Sequence, residues 1–161
     1  MALRNIVKDG DPILEKRCRP VEKFDAKLHT LLDDMAETMH HANGVGLAAP
    51  QVGMLRRVVV IDISLEQNEV LELVNPKIIA YSGEQEGNEG CLSFPGQWGI
   101  VKRPEYVKVK AQNRFGEEFE AEGKGLLARA FCHEIDHLNG IVFKEVAERM
   151  LTKKEINQMN V

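Results

Sequence analysis

The chain carries His133-Glu134-Ile135-Asp136-His137, two histidines four residues apart with a glutamate beside the first. On a helix, positions i and i+4 share one face about one turn apart, so both imidazoles can reach a single metal ion. The glutamate can then take a proton from a water activated there. The reaction class this names is metal-assisted hydrolysis with a carboxylate as proton carrier.

The pattern is short, and its surroundings decide its meaning. About 100° per residue puts Leu126, Ala130, His133 and His137 on one stripe, with Leu127, Phe131, Ile135 and Leu138 opposite. A helix apolar on the side away from its histidines is expected deep in a core, where two neutral histidines with nothing to bind would be hard to satisfy. Asn139-Gly140 supplies the stop signal. Upstream, Glu89-Gly90-Cys91-Leu92-Ser93 precedes Phe94-Pro95-Gly96, and Cys91 is a candidate third ligand. Three protein ligands leave a fourth position open, as catalysis requires. A further segment, Gly44-Val45-Gly46-Leu47-Ala48-Ala49-Pro50-Gln51, has glycines that let a backbone or ligand come close. Gln51 adds an amide donor for a developing oxyanion.

In the order GVGLAAPQ, EGCLS, HEIDH, the three segments together resemble peptide deformylase, and the resemblance covers most of the chain. Each motif alone is weak; the complete set in this order is specific. The resemblance implies hydrolysis of the formyl group from the N-terminal formylmethionine of new polypeptides. It makes Cys91, His133 and His137 the metal ligands, Glu134 the proton carrier, and the Gln51 amide with the Leu92 backbone N–H the oxyanion donors. One divalent ion follows, iron(II) favoured, with zinc, nickel or cobalt able to use the same thiolate and imidazoles. Gly44, Val45, Gly46 and Gly90 are expected along an extended peptide, and Val45, Leu126 and Ala130 around the methionine side chain. The Arg129 stem is placed to edge that pocket. Glu89 either fastens its own loop or lines the pocket; Trp98 either rims the groove or belongs to the core. Asp136 is expected to pair with Arg103 as support for the ligands.

Two other classes keep the same HExxH. A zincin-like endopeptidase takes a downstream third ligand, for which Glu145, Glu148 and Glu155 are available. A structural metal domain would need four protein ligands and no Glu134.

Size and charge fit the enzyme reading. The 161 residues suffice for one domain, 1–161, with a real core. A net charge of −4, with no basic tract interleaved with aromatics, argues against a nucleic-acid binder. No stretch is apolar enough to span a membrane, and Met1-Ala2-Leu3-Arg4 opens no secretory segment. Three cysteines, an odd number, suit a reducing cytoplasm better than a disulfide framework. Formylated nascent polypeptides are the expected partners, and a transient ribosome contact suits an enzyme that meets them, the last helix being one surface for it.

The elements that must position these residues follow from pattern. Asp25 caps an amphipathic helix carrying Leu28, Leu31, Leu32, Met35 and Met39 and ending near Ala42. His29, His40 and His41 read as exposed. Strands are expected at 57–63, 70–75, 77–82, 98–102, 106–112 and 117–121, with Pro76 ending the second and 84–89 a solvated loop, Glu89 excepted. Val142 and Phe143 suggest one more strand, and Thr152 caps a last helix over 153–159. The class is α+β: antiparallel strands packed around a central metal-binding helix, with one helix before and one short helix after.

Overall fold

Val58–Ile61 is apolar at all four positions, the pattern of a strand covered on both faces. In the computed structural model, which describes residues 2–159, this strand (β2) lies between two helices. Val58 and Val60 pack with Leu28, Leu31, Leu32, Met35 and Met39 of α1 (Ala26–His41). Val59 and Ile61 face the other way, onto Ala128, Phe131, Cys132 and Ile135 of α2 (Leu126–Leu138), the HExxH helix. One alternating strand thus builds two cores. As expected, Asp25 caps α1, its carboxylate accepting the Leu28 N–H at 3.1 Å.

The remaining elements complete two antiparallel sheets. One contains β1 (Gly46–Ala48), β2, β3 (Leu71–Ser82), β6 (Tyr106–Gln112) and β7 (Glu118–Lys124), in the order β1-β2-β3-β6-β7. The other orders β4 (Gln85–Gly90), β5 (Trp98–Arg103) and β8 (Arg149–Met150) as β4-β5-β8. Helix α2 lies against β1, β2, β6 and β7 and reaches β5 of the second sheet. Two short helices, α3 (Phe143–Val146) and α4 (Lys153–Met159), follow it where the pattern suggests one. Thr152 caps α4, its hydroxyl accepting the Glu155 N–H at 3.2 Å.

Three elements differ from their sequence pattern for identifiable reasons. Residues 84–89 suggest a loop, but β4 pairs with β5 from Gln85↔Arg103 to Gly90↔Trp98. Its alternation is real but written in polar residues: Glu86 and Asn88 face solvent, and Glu89 faces inward. Pro76 does not end its strand, because β3 bulges there and resumes pairing with β6 at Lys77↔Lys110. Val142 is extended, but Phe143 starts α3 rather than continuing a strand. His29 and His40 are half-buried, not exposed. The first meets the Arg114 carbonyl and the second the Asp62 carboxylate, each at 2.8 Å.

At the β3 bulge Asn75 takes φ 51°, and its side chain spans the Val21 N–H, the Val21 carbonyl and Gln112. Asn is among the few L residues that visit this conformation readily. Asn75→Ala is therefore expected to destabilise the fold by about 2–3 kcal/mol. Urea unfolding checks this; a midpoint matching the parent chain would show that the bulge needs none of these bonds.

Candidate active site

The i, i+4 spacing on α2 places the His133 and His137 rings 5.0 Å apart between centroids. Cys91, just beyond the end of β4, brings its Sγ to 3.3 Å from His137 Nε2. Ligand atoms of Cys91, His133 and His137 all lie within 4.8 Å of one another, close enough to share one ion. His137 is fully buried, and His133 nearly so.

The surroundings prepare these three for a cation. His133 Nδ1 lies 2.6 Å from Glu89 Oε1. A carboxylate accepts, so Nδ1 carries the proton and the Nε2 lone pair is left for a metal. Glu89 also takes Arg103 through two nitrogens and Arg129 Nη1 at 2.8 Å. Burial works to raise the Glu89 pKa, but the His133 and Arg103 contacts outweigh it and hold this group well below the usual carboxylate range. Arg103 continues to Asp136 at 2.8 Å, the pairing expected from sequence. Burial alone would lower the His133 pKa, yet Glu134, Cys91 and Glu89 together hold it well above the ordinary imidazole value. That surplus of negative charge is the electrostatic setting of a cation site. Burial, and the neighbouring His133, push His137 well below its ordinary value and keep it in the neutral, ligating form.

Glu134 is buried beside them, its Oε2 4.0 Å from His133 Nε2. Its Oε1 meets no hydrogen-bond partner among the described residues. Burial, reinforced by the charge of Glu89 and opposed by His133, pushes this carboxyl up to about 7. A carboxyl balanced there can hold or release a proton near neutrality. Gly46 makes room for it: a Cβ at that position would stand 2.5 Å from Glu134 Oε2.

Gln51 is pinned within a short 3₁₀ turn, Ala49–Val52. Its Oε1 accepts the Ala48 N–H at 2.9 Å, and its Nε2 donates to Ser93 Oγ at 3.1 Å and Cys91 Sγ at 3.3 Å. The Leu92 N–H meets no acceptor among the described residues.

Cys91, His133, Glu134, Glu89, Gln51 and Leu92 border one cavity of about 490 Å³, whereas His137 does not line it. Gly44, Val45 and Gly46 line it together with Glu89, Gly90, Cys91 and Leu92, whose side chain packs against Gly44. Leu126, Arg129, Ala130, His133 and Glu134 of α2 and Gln51 line it as well. Exposed Val45 and Leu126 leave apolar surface at the mouth. Arg129 borders the cavity, and its guanidinium binds Glu89 and the Val101 carbonyl. Trp98 is half-buried and lines the cavity, stacked so close to Gly90 that a Cβ there would meet its ring at 2.8 Å.

Sequence reading missed Phe143, whose ring stacks with His133 at 6.1 Å between centroids, and Ser93, which holds Gln51. Phe143 gave no signal beyond its hydrophobicity. Ser93 stood in plain view inside EGCLS but without a visible partner.

Cysteine and two histidines at ligand spacing, with the HExxH glutamate alongside, define a metal-dependent hydrolase centre on an α+β frame. The family model for polypeptide deformylase matches residues 3–153. A peptide deformylase of Lachnoclostridium phytofermentans is 62% identical over 145 residues, which covers 90% of this chain and 89% of that one. The peptide deformylase structure from Legionella pneumophila has TM-score 0.87 and 44% identity, covering 98% of this chain and 95% of its own. That from Thermotoga maritima gives 0.86 and 43%, covering 91% and 98%. The chain belongs to the polypeptide deformylase family. Enzymes of this family remove the N-formyl group from nascent peptides in a metal-dependent reaction.

Cys91→Ala is expected to lose bound metal, whereas Cys132→Ser should keep it. Cys132 lies on the core-facing side of α2, where burial pushes its thiol up to about 11. Metal analysis of both variants decides, and equal metal in Cys91→Ala and the parent chain would remove Cys91 from the ligand set.

Proposed function

We propose that this chain deformylates the N-terminal formylmethionine of new polypeptides, with Cys91, His133 and His137 holding one divalent cation. The observation that carries the reading is the convergence of these ligands beside the buried Glu134 carboxyl, whose Oε1 has no partner among the described residues. When bound, the ion supplies Lewis acidity and makes a nearby water nucleophilic at neutral pH. Thiolate and imidazole ligands leave the metal open; iron(II) is favoured on the family resemblance, with zinc, nickel or cobalt able to substitute.

Each side chain then has one task. Glu134 takes a proton as water adds to the formyl carbon, and delivers it to the nitrogen as the C–N bond breaks. Formate and a free amine leave. The Gln51 amide and the Leu92 N–H donate to the oxyanion of the tetrahedral intermediate. Edge strands β1 and β4 flank the cavity, so an extended peptide can lie beside Val45, Gly46 and Gly90 as an added strand. Gly44 gives the wall its closeness: the Leu92 side chain would stand 2.7 Å from a Cβ there. Val45, Leu126, Ala130 and the Arg129 stem take the methionine side chain.

Among the described residues no helix is long and apolar enough to cross a membrane. Three free cysteines, two of them in the core, suit the reducing cytoplasm where formylated chains are made. Helix α4 is the surface we assign to a transient ribosome contact.

Two experiments test the chemistry. Glu134→Ala should retain metal and fold while turnover falls by roughly 10² to 10⁴. Metal lost together with activity would make Glu134 a ligand instead. Formyl and acetyl caps differ by one methyl group, for which hydrophobic contact alone discriminates only about 1–3 kcal/mol. Strong selectivity thus needs steric closure at the metal, where Gly90 and Leu92 flank Cys91. Mass spectrometry on formyl-Met, acetyl-Met and uncapped forms of one peptide should find only the first processed. Internal cleavage of the uncapped peptide would point to an endopeptidase.

A further inference from the structure

Ser93 is completely buried, and no step assigned above uses it. Its hydroxyl accepts the Gln51 amide at 3.1 Å. We infer that Ser93 is a positioning residue for the reaction: it fixes the plane of the Gln51 amide so that one N–H is aimed at the metal and the developing oxyanion. The inference rests on Gln51 as an oxyanion donor.

A glutamine amide has one acceptor and two N–H donors in a single plane. Here the Ala48 N–H, which can only donate, settles which end is oxygen. That contact alone leaves the plane loose, because the terminal torsion of glutamine has broad wells. Ser93 Oγ takes one N–H, and with two corners of the plane held, the third direction is determined. It runs to Cys91 Sγ at 3.3 Å, beside His137. The donor therefore points at the ligand cluster before substrate arrives, already in the plane from which it can turn from the sulfur to an oxyanion.

The backbone enforces the same arrangement. The Val7 N–H donates to the Gln51 carbonyl at 2.7 Å, and the Asp9 N–H donates to the Ser93 carbonyl at 2.8 Å. Donors two residues apart on one short run thus hold the two loops side by side. Ser93 also adjoins Leu92, which supplies the second oxyanion donor. One residue therefore connects both halves of the oxyanion site.

Ser93→Ala, Gln51→Leu and the double variant, loaded with nickel, test this on a formyl-Met peptide. Gln51→Leu is expected to lower kcat by roughly 10² to 10³. Ser93→Ala should lower kcat about tenfold or more, since a small misplacement of a donor is costly. KM should stay within about twofold and metal per chain should not change. On the Gln51→Leu background, Ser93→Ala should add nothing, because the group it orients is gone. In the metal-free protein, the Gln51 side-chain amide protons, assigned by their loss in Gln51→Leu, should exchange faster with solvent in Ser93→Ala. Parent-like kcat and amide exchange in Ser93→Ala would overturn the inference. So would an equal loss on both backgrounds, the mark of a merely structural role. Parent-like kcat in Gln51→Leu would instead remove the oxyanion reading itself, and this inference with it.

Discussion

Glu89 carries a negative charge inside the protein, and donors from two other elements converge on it. Arg103 of β5 and Arg129 and His133 of α2 all reach this one β4 carboxylate. Taking a carboxylate out of water costs several kcal/mol, so such a group persists only when its lone pairs are filled. Leaving it with an unmatched partner would cost about 3–5 kcal/mol. The network therefore acts as a rivet between the three-stranded sheet and the HExxH helix. It also fixes which His133 nitrogen is protonated. Because Cys91 lies two residues beyond Glu89, the same rivet sets the distance between the cysteine and histidine ligands.

Much of the chemistry was legible in sequence because its information is local. The i, i+4 histidines, the neighbouring glutamate and the glycines flanking the cysteine each need only a few adjacent residues to be recognised. The all-apolar β2 and the capped α1 were legible for the same reason. What escaped depends on distant partners. Whether Glu89 fastened a loop or lined a pocket could not be settled without Arg103 and Arg129, which are 14 and 40 residues away. In the structure it does both. Strand β4 was hidden because its inward positions are glutamine, glycine and glutamate, types that hydrophobic alternation does not register. The β3 bulge at Asn75 was hidden because proline normally removes a ladder bond, and only the Val21 and Gln112 contacts reveal the accommodation.

The cavity has an architectural origin as well as a chemical one. Each sheet ends in an uncovered edge, β1 in one and β4 in the other, and these edges face the same space. Exposed edges usually invite unwanted pairing between chains. Here β1 spans only Gly46–Ala48 and lies against α2. The groups that would make an edge hazardous are kept for an extended peptide. Small residues at Gly44, Gly46 and Gly90 allow Leu92, Glu134 and Trp98 to approach these walls.

The lacing of residues 7 and 9 to Gln51 and Ser93 has a bearing on when the enzyme comes into being. The groups that act together are widely separated in the chain: Gln51 and Cys91 by 40 residues, Cys91 and His137 by 46. Closing such loops is entropically slow, and no contiguous fragment shorter than residues 7–137 contains every contact. A ribosome making this protein must therefore release nearly all of it before any hydrolytic power exists. Until then the emerging chain is inert.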